Sequence, residues 1–193
     1  MAASYDKPLR SAGTRASILR AAQARFASDG YHKATIRAIA ADANIDPSMV
    51  MRYYGNKATL FAAAVDIDLR LPDVNKISKS RLGETLVRHF LDRWEGDPAD
   101  DALLMLLRSA ATDDAAAERM RMIFRSQLVP VVGRVVGNTA EAKRRAGLIA
   151  TQMLGLALCR HILRLSPVAA LSRDAVVNSI GPAIQRYLTG RLD

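Results

Sequence analysis

Apolar residues near the start of the chain recur at the three- and four-residue spacing of a helix with one buried face. Ile18, Ala22 and Phe26 share such a face, and this pattern predicts a helix over residues 15–28. Gly30 follows, and glycine often ends helices because it adopts the left-handed conformation without steric cost. We therefore expect the first helix to stop at this glycine.

Two short helices and a tight turn are predicted next. Thr35 is a suitable N-cap for the first, "TIRAIAADA", and Asp46 is one for the second, which begins at Pro47 and ends near Tyr54. Asn44 lies in the turn, where a positive φ is needed and asparagine tolerates it. The pair forms a helix-turn-helix, whose second helix can lie in a DNA major groove, although the pattern also fits a plain helical corner.

The remainder of the chain reads as longer helices. Pro130 is expected to kink one of them and Gly181-Pro182 to interrupt another, while residues 72–80 are a predicted polar linker. No segment favours a strand over a helix. The sequence therefore predicts an all-α fold of about nine helices, the later ones over residues 58–70, 81–95, 99–111, 114–136, 139–165 and 172–189.

Composition agrees with a helical protein that has a sizeable core. Half of the residues are apolar and only 5% are aromatic. A single cysteine, Cys159, excludes an intramolecular disulfide, which favours a reducing compartment. The N-terminus lacks the apolar centre of a secretory signal, and no run of about 18 apolar residues is present. We therefore expect a soluble, cytoplasmic protein without a membrane partner.

The charge balance points to an anionic partner. The net charge is +9, and residues 1–57 hold nine basic against four acidic residues. An anionic membrane is the alternative to nucleic acid, but the cations are scattered over several predicted helices and do not follow one amphipathic face. Residues 1–13, which are small, polar and basic, are predicted to form a mobile arm.

Several side chains around the helix-turn-helix suit contact with DNA. Tyr53 and Lys57, four residues apart, offer a phenolic hydroxyl and an ammonium to phosphate oxygens. Thr35 offers a hydroxyl at a helix start, and Arg37 adds charge beside it. The predicted candidates for reading base edges are the exposed residues of the second helix: Ser48, Met49 and Arg52.

The stretch "RASILRAAQARFASDGYHKATIRAIAADANIDPSMVMRYYGNKATLF" resembles the DNA-binding domain of the tetracycline-repressor (TetR) family of bacterial transcription regulators. The likeness covers residues 14–62 and departs from the usual pattern at Ala38, Asn44, Met51 and Ala58. The shared features are Phe26, Gly30-Tyr31, Thr35, Ile39-Ala40, Ile45, Ser48, Val50, Tyr53-Tyr54, Lys57 and Leu60-Phe61.

The resemblance implies a DNA-binding domain over residues 14–61 and a helical effector-binding and dimerisation domain over 62–193. It implies a homodimer that binds a near-palindromic operator and releases it when a small molecule binds. It also implies that Tyr53 turns to phosphate and Tyr54 packs inward. The arm, with Lys7, Arg10 and Arg15, either adds phosphate or minor-groove contacts or is a silent tail.

The larger domain leaves more alternatives open. Its last two long helices form the dimer face by resemblance, whereas residues 146–165 alternatively form only the monomer's core helix. An effector pocket is predicted among residues 81–165, with Arg108 and His89 as polar groups for an acidic ligand. Its other candidate lining residues, each of which is alternatively ordinary core, are Phe90, Trp94, Leu104, Met105, Met120, Phe124, Met153 and His161.

The sequence gives no support for an enzyme. The histidines His32, His89 and His161 share no metal-ligand spacing, and no nucleophile motif or phosphate-binding loop is present. We therefore predict neither a metal nor a cofactor. The leading hypothesis is a ligand-responsive repressor. Its alternatives are a regulator without a small-molecule inducer and a helical protein whose basic domain contacts another anionic partner.

Overall fold

The computed structural model describes residues 6–96, 101–137 and 139–192, and residues 6–11, 101 and 139 by backbone only. Within these ranges every regular element is a helix, so the predicted all-α class is confirmed. The first helix begins at Asp6, earlier than predicted. Residues 1–5 of the predicted arm, and the side chains of Lys7 and Arg10, lie outside the described part of the chain.

Four helices precede a long irregular segment, and the others follow it. The first four are α1 (Asp6–Lys33), α2 (Ile36–Asp42), α3 (Pro47–Tyr54) and α4 (Lys57–Ala64). The later ones are α5 (Leu82–Glu95), α6 (Asp101–Ser109), α7 (Asp114–Ile123), α8 (Val129–Val136), α9 (Thr139–Ala157), α10 (Ser166–Ala169) and α11 (Arg173–Thr189). Single 3-10 turns occupy Val74–Lys76 and Lys79–Arg81, and π-helical turns occupy Phe124–Leu128 and Leu158–Ile162.

The chain forms two compact units that do not follow chain order. The first comprises Met1–Asp66 and Asp101–Arg119, and the second comprises Ile67–Asp100 and Met120–Asp193. Helix α6 and the start of α7 therefore belong with the first four helices. The predicted functional boundary between residues 61 and 62 stays a prediction.

The core of the first unit forms around the predicted apolar face of α1. Ile18, Ala22 and Phe26 are fully or almost fully buried, and the rings of Phe26 and Phe61 meet edge to face at 5.0 Å. Regular helical geometry breaks at Gly30, whose φ of 74° is positive as predicted but whose ψ of 169° is extended and not left-handed helical, and a further helical turn follows. The sequence therefore located both the buried face and the break of α1.

The fourth predicted helix is too long. It was expected to reach residue 70, but α4 ends at Ala64 and the next segment is irregular. That backbone bonds to distant side chains: Gln127 donates to the Ile67 carbonyl at 2.8 Å and accepts from the Leu69 amide at 2.7 Å. His89 bonds the Leu69 carbonyl at 2.9 Å. These tertiary bonds replace the intrahelical ones, and they give His89 a structural partner.

The later helices differ from prediction where prolines occur. The helix expected over 114–136 is divided into α7, a π-helical turn and α8, with the π turn ending two residues before Pro130. By contrast, Gly181-Pro182 does not interrupt α11, so that prediction is wrong. Pro182 faces solvent, and buried Gly181 lies against the backbone of Glu84.

The second unit has its own core, in which α5 and α11 approach closely. A Cβ placed on Gly83 would lie 2.3 Å from the Gly181 carbonyl oxygen and 2.6 Å from the Gln185 nitrogen. The Gln185 side chain also accepts from the Gly83 amide at 2.8 Å. Around this contact the core is built from the apolar faces of α5, α8, α9 and α11, including Leu86, Leu91, Val132, Ile149, Val177, Ile184 and Leu188.

Candidate nucleic-acid interface

The helix-turn-helix is held by local side-chain caps. The Thr35 hydroxyl oxygen accepts from the Ala38 amide at 3.1 Å, which fixes the start of α2. Asn44 has a φ of 53°, so the chain turns where predicted. The Asp46 carboxylate accepts from the Ser48 amide at 2.8 Å, and hydrogen bonds from Ser48 hold the pKa of that carboxyl below its usual value. Both predicted caps and the turn are confirmed.

A long-range ion pair fixes α2 against α1. The Arg25 guanidinium donates to both Asp42 carboxylate oxygens, at 2.7 and 2.5 Å, and to Asp29 at 3.3 Å. The hydrogen bond from Arg25 lowers the pKa of Asp42, and the pair raises the pKa of Arg25. The sequence did not indicate this ion pair, because no local pattern relates residue 25 to residue 42.

The outward face of α3 carries the predicted base-reading residues. Ser48 and Arg52 are exposed and Met49 is half-buried, whereas Val50 on the opposite face is fully buried. Met51, one of the departures from the family pattern, is 45% exposed. The exposed residues of α3 are therefore polar or basic at Ser48 and Arg52 and apolar at Pro47 and Met51.

The two tyrosines at the end of α3 contact α1 differently. The Tyr54 hydroxyl donates to the Arg15 carbonyl oxygen at 3.3 Å, and burial raises the pKa of Tyr54. The guanidinium carbon of Arg15 lies 5.2 Å from the centre of the Tyr53 ring. The Tyr54 hydroxyl thus joins α3 to α1, and the Arg15 guanidinium of α1 lies beside the Tyr53 ring of α3.

The remaining predicted phosphate contacts lie on both sides of α3. Thr35 and Arg37 are exposed at the start of α2, and Lys57 is half-buried at the start of α4. The Lys57 ammonium donates to the His32 carbonyl oxygen at 3.1 Å and lies 4.6 Å from the centre of the Tyr31 ring. One of its three donors is therefore used within the protein.

The predicted effector-pocket residues are divided between the two units. Leu104, Met105 and Arg108 belong to the first unit, where Met105 is buried, Leu104 is half-buried and Arg108 is exposed. The others belong to the second unit, where three pack against its core: Phe90, Phe124 and Met153. Met120 is half-buried there, and the pocket itself stays a prediction.

An aromatic stack in the second unit brings three of these residues together. The rings of Phe90 and Trp94 lie 5.4 Å apart, and those of Trp94 and His161 lie 5.5 Å apart at 15°. The His161 Nε2 atom is buried without a hydrogen-bond partner, and its distance to a Glu95 carboxylate oxygen is 3.9 Å. Burial lowers the pKa of His161, which favours the neutral imidazole.

Arg160 fixes the segment between α9 and α11. Its guanidinium donates to Glu95 at 2.7 Å and to the carbonyls of Val168 and Leu171, both at 2.8 Å. Arg160 therefore has a structural role within the second unit. Arg164 on the same segment is exposed.

Helix α9 has two different faces. Ala142, Ala146 and Ile149 are buried in the core of the second unit, whereas Leu148 is 37% and Leu158, in the following π turn, 41% exposed. Gly155 has no atom within 4 Å of the place where a Cβ would lie. Helix α9 thus contributes to the core of the second unit and also exposes apolar side chains, and the choice between a core helix alone and a dimer face stays open.

Among the described residues, no group of three or more His, Cys, Asp or Glu side chains is arranged to hold a metal ion. Within the same part of the chain, no helix combines the length and the apolar character needed to cross a bilayer.

Comparison with known sequences identifies both halves of the chain. Residues 18–64 match the profile described as "Bacterial regulatory proteins, tetR family", and residues 80–188 match "Tetracyclin repressor-like, C-terminal domain". A 53-residue stretch is 43% identical to the HTH-type transcriptional repressor SCO4008 of Streptomyces coelicolor. That stretch spans only 28% of the repressor's length.

Solved structures share the fold over almost the whole chain. The TetR-family regulator SCO0857 from Streptomyces coelicolor is 30% identical, with a TM-score of 0.66 over 91% of this chain and 94% of that one. NalD, the secondary repressor of the MexAB-OprM multidrug efflux pump in Pseudomonas aeruginosa, has a TM-score of 0.69 at 18% identity over 93% of this chain and 98% of its own. The profile over residues 80–188 covers more than half of the chain, and the chain belongs to the TetR family of bacterial regulatory proteins.

Proposed function

We propose that this protein is a transcriptional repressor that binds a palindromic operator as a homodimer and is released from it by a small-molecule effector. The observation that carries the DNA-binding part is the outward face of α3, with Ser48 and Arg52 exposed above a fully buried Val50. The net charge of +9 supports an anionic partner, and the family supports a regulatory role.

In this proposal α3 lies in the major groove and reads base edges. Arg52 suits the paired acceptors of guanine, and the Ser48 hydroxyl suits either a donor or an acceptor. Met49 supplies an apolar surface of the kind that contacts a thymine methyl group. These three residues therefore determine which sequence is bound.

Contacts to phosphates flank the groove and set the register of α3. The Thr35 oxygen accepts from Ala38, so its hydroxyl hydrogen remains to donate to a phosphate, and exposed Arg37 adds charge nearby. Tyr53 and Lys57 act at the other end of α3. Lys57 keeps two of its three ammonium hydrogens for this purpose when one bonds His32.

Homodimerisation is proposed through α9 and α11. Leu148 and Leu158 leave an apolar face on the solvent side of α9 and the turn after it, and the open space at Gly155 allows another helix to approach closely. A two-fold dimer presents α3 twice in inverted orientation, which is what an operator with two inverted half-sites requires.

The effector is proposed to bind in the second unit beside the Trp94–His161 stack. A buried imidazole nitrogen without a partner costs free energy unless a ligand group satisfies it, typically about 1–3 kcal/mol. The stacked rings offer a flat apolar surface next to that nitrogen. This combination supports a ligand with both apolar and hydrogen-bonding parts.

Selection of duplexes from a random DNA library tests the proposal directly. The full-length protein should enrich one motif composed of two inverted half-sites, and the complex should contain two protein chains. If no common motif is enriched, the result would favour the alternative that the basic domain contacts another anionic partner. If no small molecule in a panel of metabolites and drugs weakens binding to the selected motif, the result would favour a regulator without an inducer.

A further inference from the structure

Asp113 is a buried carboxylate that lies in the first unit, far along the chain from the helix-turn-helix. Its side chain is 7% exposed, and one of its oxygens accepts from the Ala116 amide at 2.8 Å, which caps α7. The other oxygen lies 3.4 Å from the Nε2 atom of His32. Capping explains one oxygen only, and the second is directed at the end of α1.

His32 connects this carboxylate to the side chain proposed to bind phosphate. Its ring faces Asp113, and its backbone carbonyl accepts from the Lys57 ammonium at 3.1 Å. The ring is 74% exposed, so packing alone does not hold the residue in place. Beyond the break of α1 at Gly30, the Tyr31 ring packs against Phe61 at 4.9 Å, and the contact with Asp113 adds a second anchor beside the His32 carbonyl.

A second contact fixes the other end of the helix that begins with Lys57. Arg119 of α7 donates to the Val65 carbonyl at 3.0 Å and pairs with the Asp66 carboxylate. Val65 is the C-cap of α4 and is fully buried. Arg119 of α7 therefore holds the end of α4, and Asp113, which caps α7, lies against the residue whose carbonyl binds Lys57.

We propose that His32 and Asp113 are positioning residues for DNA binding, which act through Lys57 without touching DNA. This inference rests on the proposed function. The lysine side chain has four rotatable bonds, and fixing it at a phosphate costs conformational entropy. Asp113 holds His32, and the His32 carbonyl holds the ammonium near the end of α3, so part of that entropy is lost before DNA arrives.

His32→Ala is the main test because the exposed ring can be removed while the carbonyl stays. The probe is a 30-bp duplex taken from the random-library selection, with a shuffled duplex of equal composition beside it. We expect His32→Ala to raise the Kd for both duplexes about threefold to tenfold. If the Lys57 contact is lost, the slope of log K against log salt concentration also falls by about 0.9.

A double-mutant cycle distinguishes positioning from a general structural role. His32→Ala combined with Lys57→Ala should bind no more weakly than Lys57→Ala alone, because both changes act on the same phosphate contact. Lys33→Ala is the matched control at a neighbouring exposed charge, and its effect should add to that of Lys57→Ala. Asp113→Asn, which keeps an oxygen for the Ala116 amide, should reproduce the change in salt slope seen with His32→Ala.

The outcomes separate this inference from the proposed function. The inference would be overturned if the effects of His32→Ala and Lys57→Ala on the Kd added fully. It would also be overturned if only Lys57→Ala changed the salt slope. Neither result would contradict the proposed function. A Lys57→Ala variant that binds both duplexes as tightly as the wild type would overturn the inference as well. A wild-type protein without preference for the selected duplex would contradict the proposed function itself. Thermal melting of each variant checks that the protein stays folded.

Discussion

The ammonium of Lys57 donates to the carbonyl oxygen of His32 across 3.1 Å, which joins the first residue of α4 to the end of α1. The same ammonium lies over the Tyr31 ring. A lysine that is exposed in an unstructured region would sample many positions, whereas this one is held at both its backbone and its charged end. The cation is therefore placed before any partner binds.

Loss of this cation should weaken DNA binding without changing sequence preference. Lys57→Ala should raise the Kd about 3- to 30-fold for selected and shuffled duplexes alike, since phosphate contacts carry no sequence information. Tyr53→Phe, which keeps the ring and removes the hydroxyl, should act in the same direction more weakly. Fluorescence anisotropy with both duplexes measures this. A loss confined to the selected duplex would show that these residues read bases.

Changes on the outward face of α3 should have the opposite signature. Arg52→Ala and Ser48→Ala should reduce binding to the selected duplex, at a cost of about 1–3 kcal/mol for the arginine, and should relax preference at one position of each half-site. Repeating the duplex selection with each variant identifies that position. An unchanged motif with uniformly weaker binding would place Arg52 among the phosphate contacts instead.

These DNA-facing elements were predictable because their determinants are local. Thr35, Asn44 and Asp46 each act within three residues of themselves, as two caps and one residue with positive φ. The end of α4 was not predictable in this way. Residues 65–70 were predicted to continue the helix, but their backbone bonds to Gln127 and His89, which no local pattern indicates.

The contact between α5 and α11 predicts a large effect from one methyl group. Gly83→Ala should lower the free energy of unfolding by about 1–3 kcal/mol, because the added Cβ meets backbone atoms that cannot rotate away. Gly133→Ala is the matched control, since its Cβ would meet only the Ala142 side chain at 3.8 Å. Thermal melting compares the two. Equal melting temperatures would mean that α5 and α11 separate at little cost.

The same pair of helices shows where sequence reasoning about small residues was wrong. Gly181-Pro182 suggested a break in the last helix, because both residues are poor helix formers. In the structure Gly181 lies against Glu84, so the missing side chain permits tertiary packing while α11 continues. The partner of a glycine is set by the fold, and a single sequence does not contain it.

The buried imidazole of His161 predicts a dependence of stability on pH. Burial lowers its pKa in the folded state below the ordinary histidine value of about 6.5, so the unfolded chain binds a proton more readily. Stability should therefore fall as pH decreases below about 6.5. His161→Phe keeps a ring against Trp94 and should reduce this fall between pH 7.5 and 5.5, as measured by urea unfolding. An unchanged pH dependence would show that His161 does not contribute.

The exposed face of α9 predicts how the protein associates. Leu148→Glu should shift the protein from dimer to monomer, because two like charges would meet near a two-fold axis. Met122→Glu, at a residue that is 44% exposed on α7, is the control and should leave the dimer intact. Sedimentation equilibrium distinguishes the two species. A Leu148→Glu variant as dimeric as the wild type would place the interface elsewhere.

The most direct test of the central claim is the affinity of the full-length protein for its selected duplex and for a shuffled duplex across a salt series. We predict that both affinities fall steeply with salt and that the selected duplex is preferred by about 10³ or more at physiological ionic strength. Equal affinity for the two duplexes at every salt concentration would contradict the account, since α3 would then read no sequence.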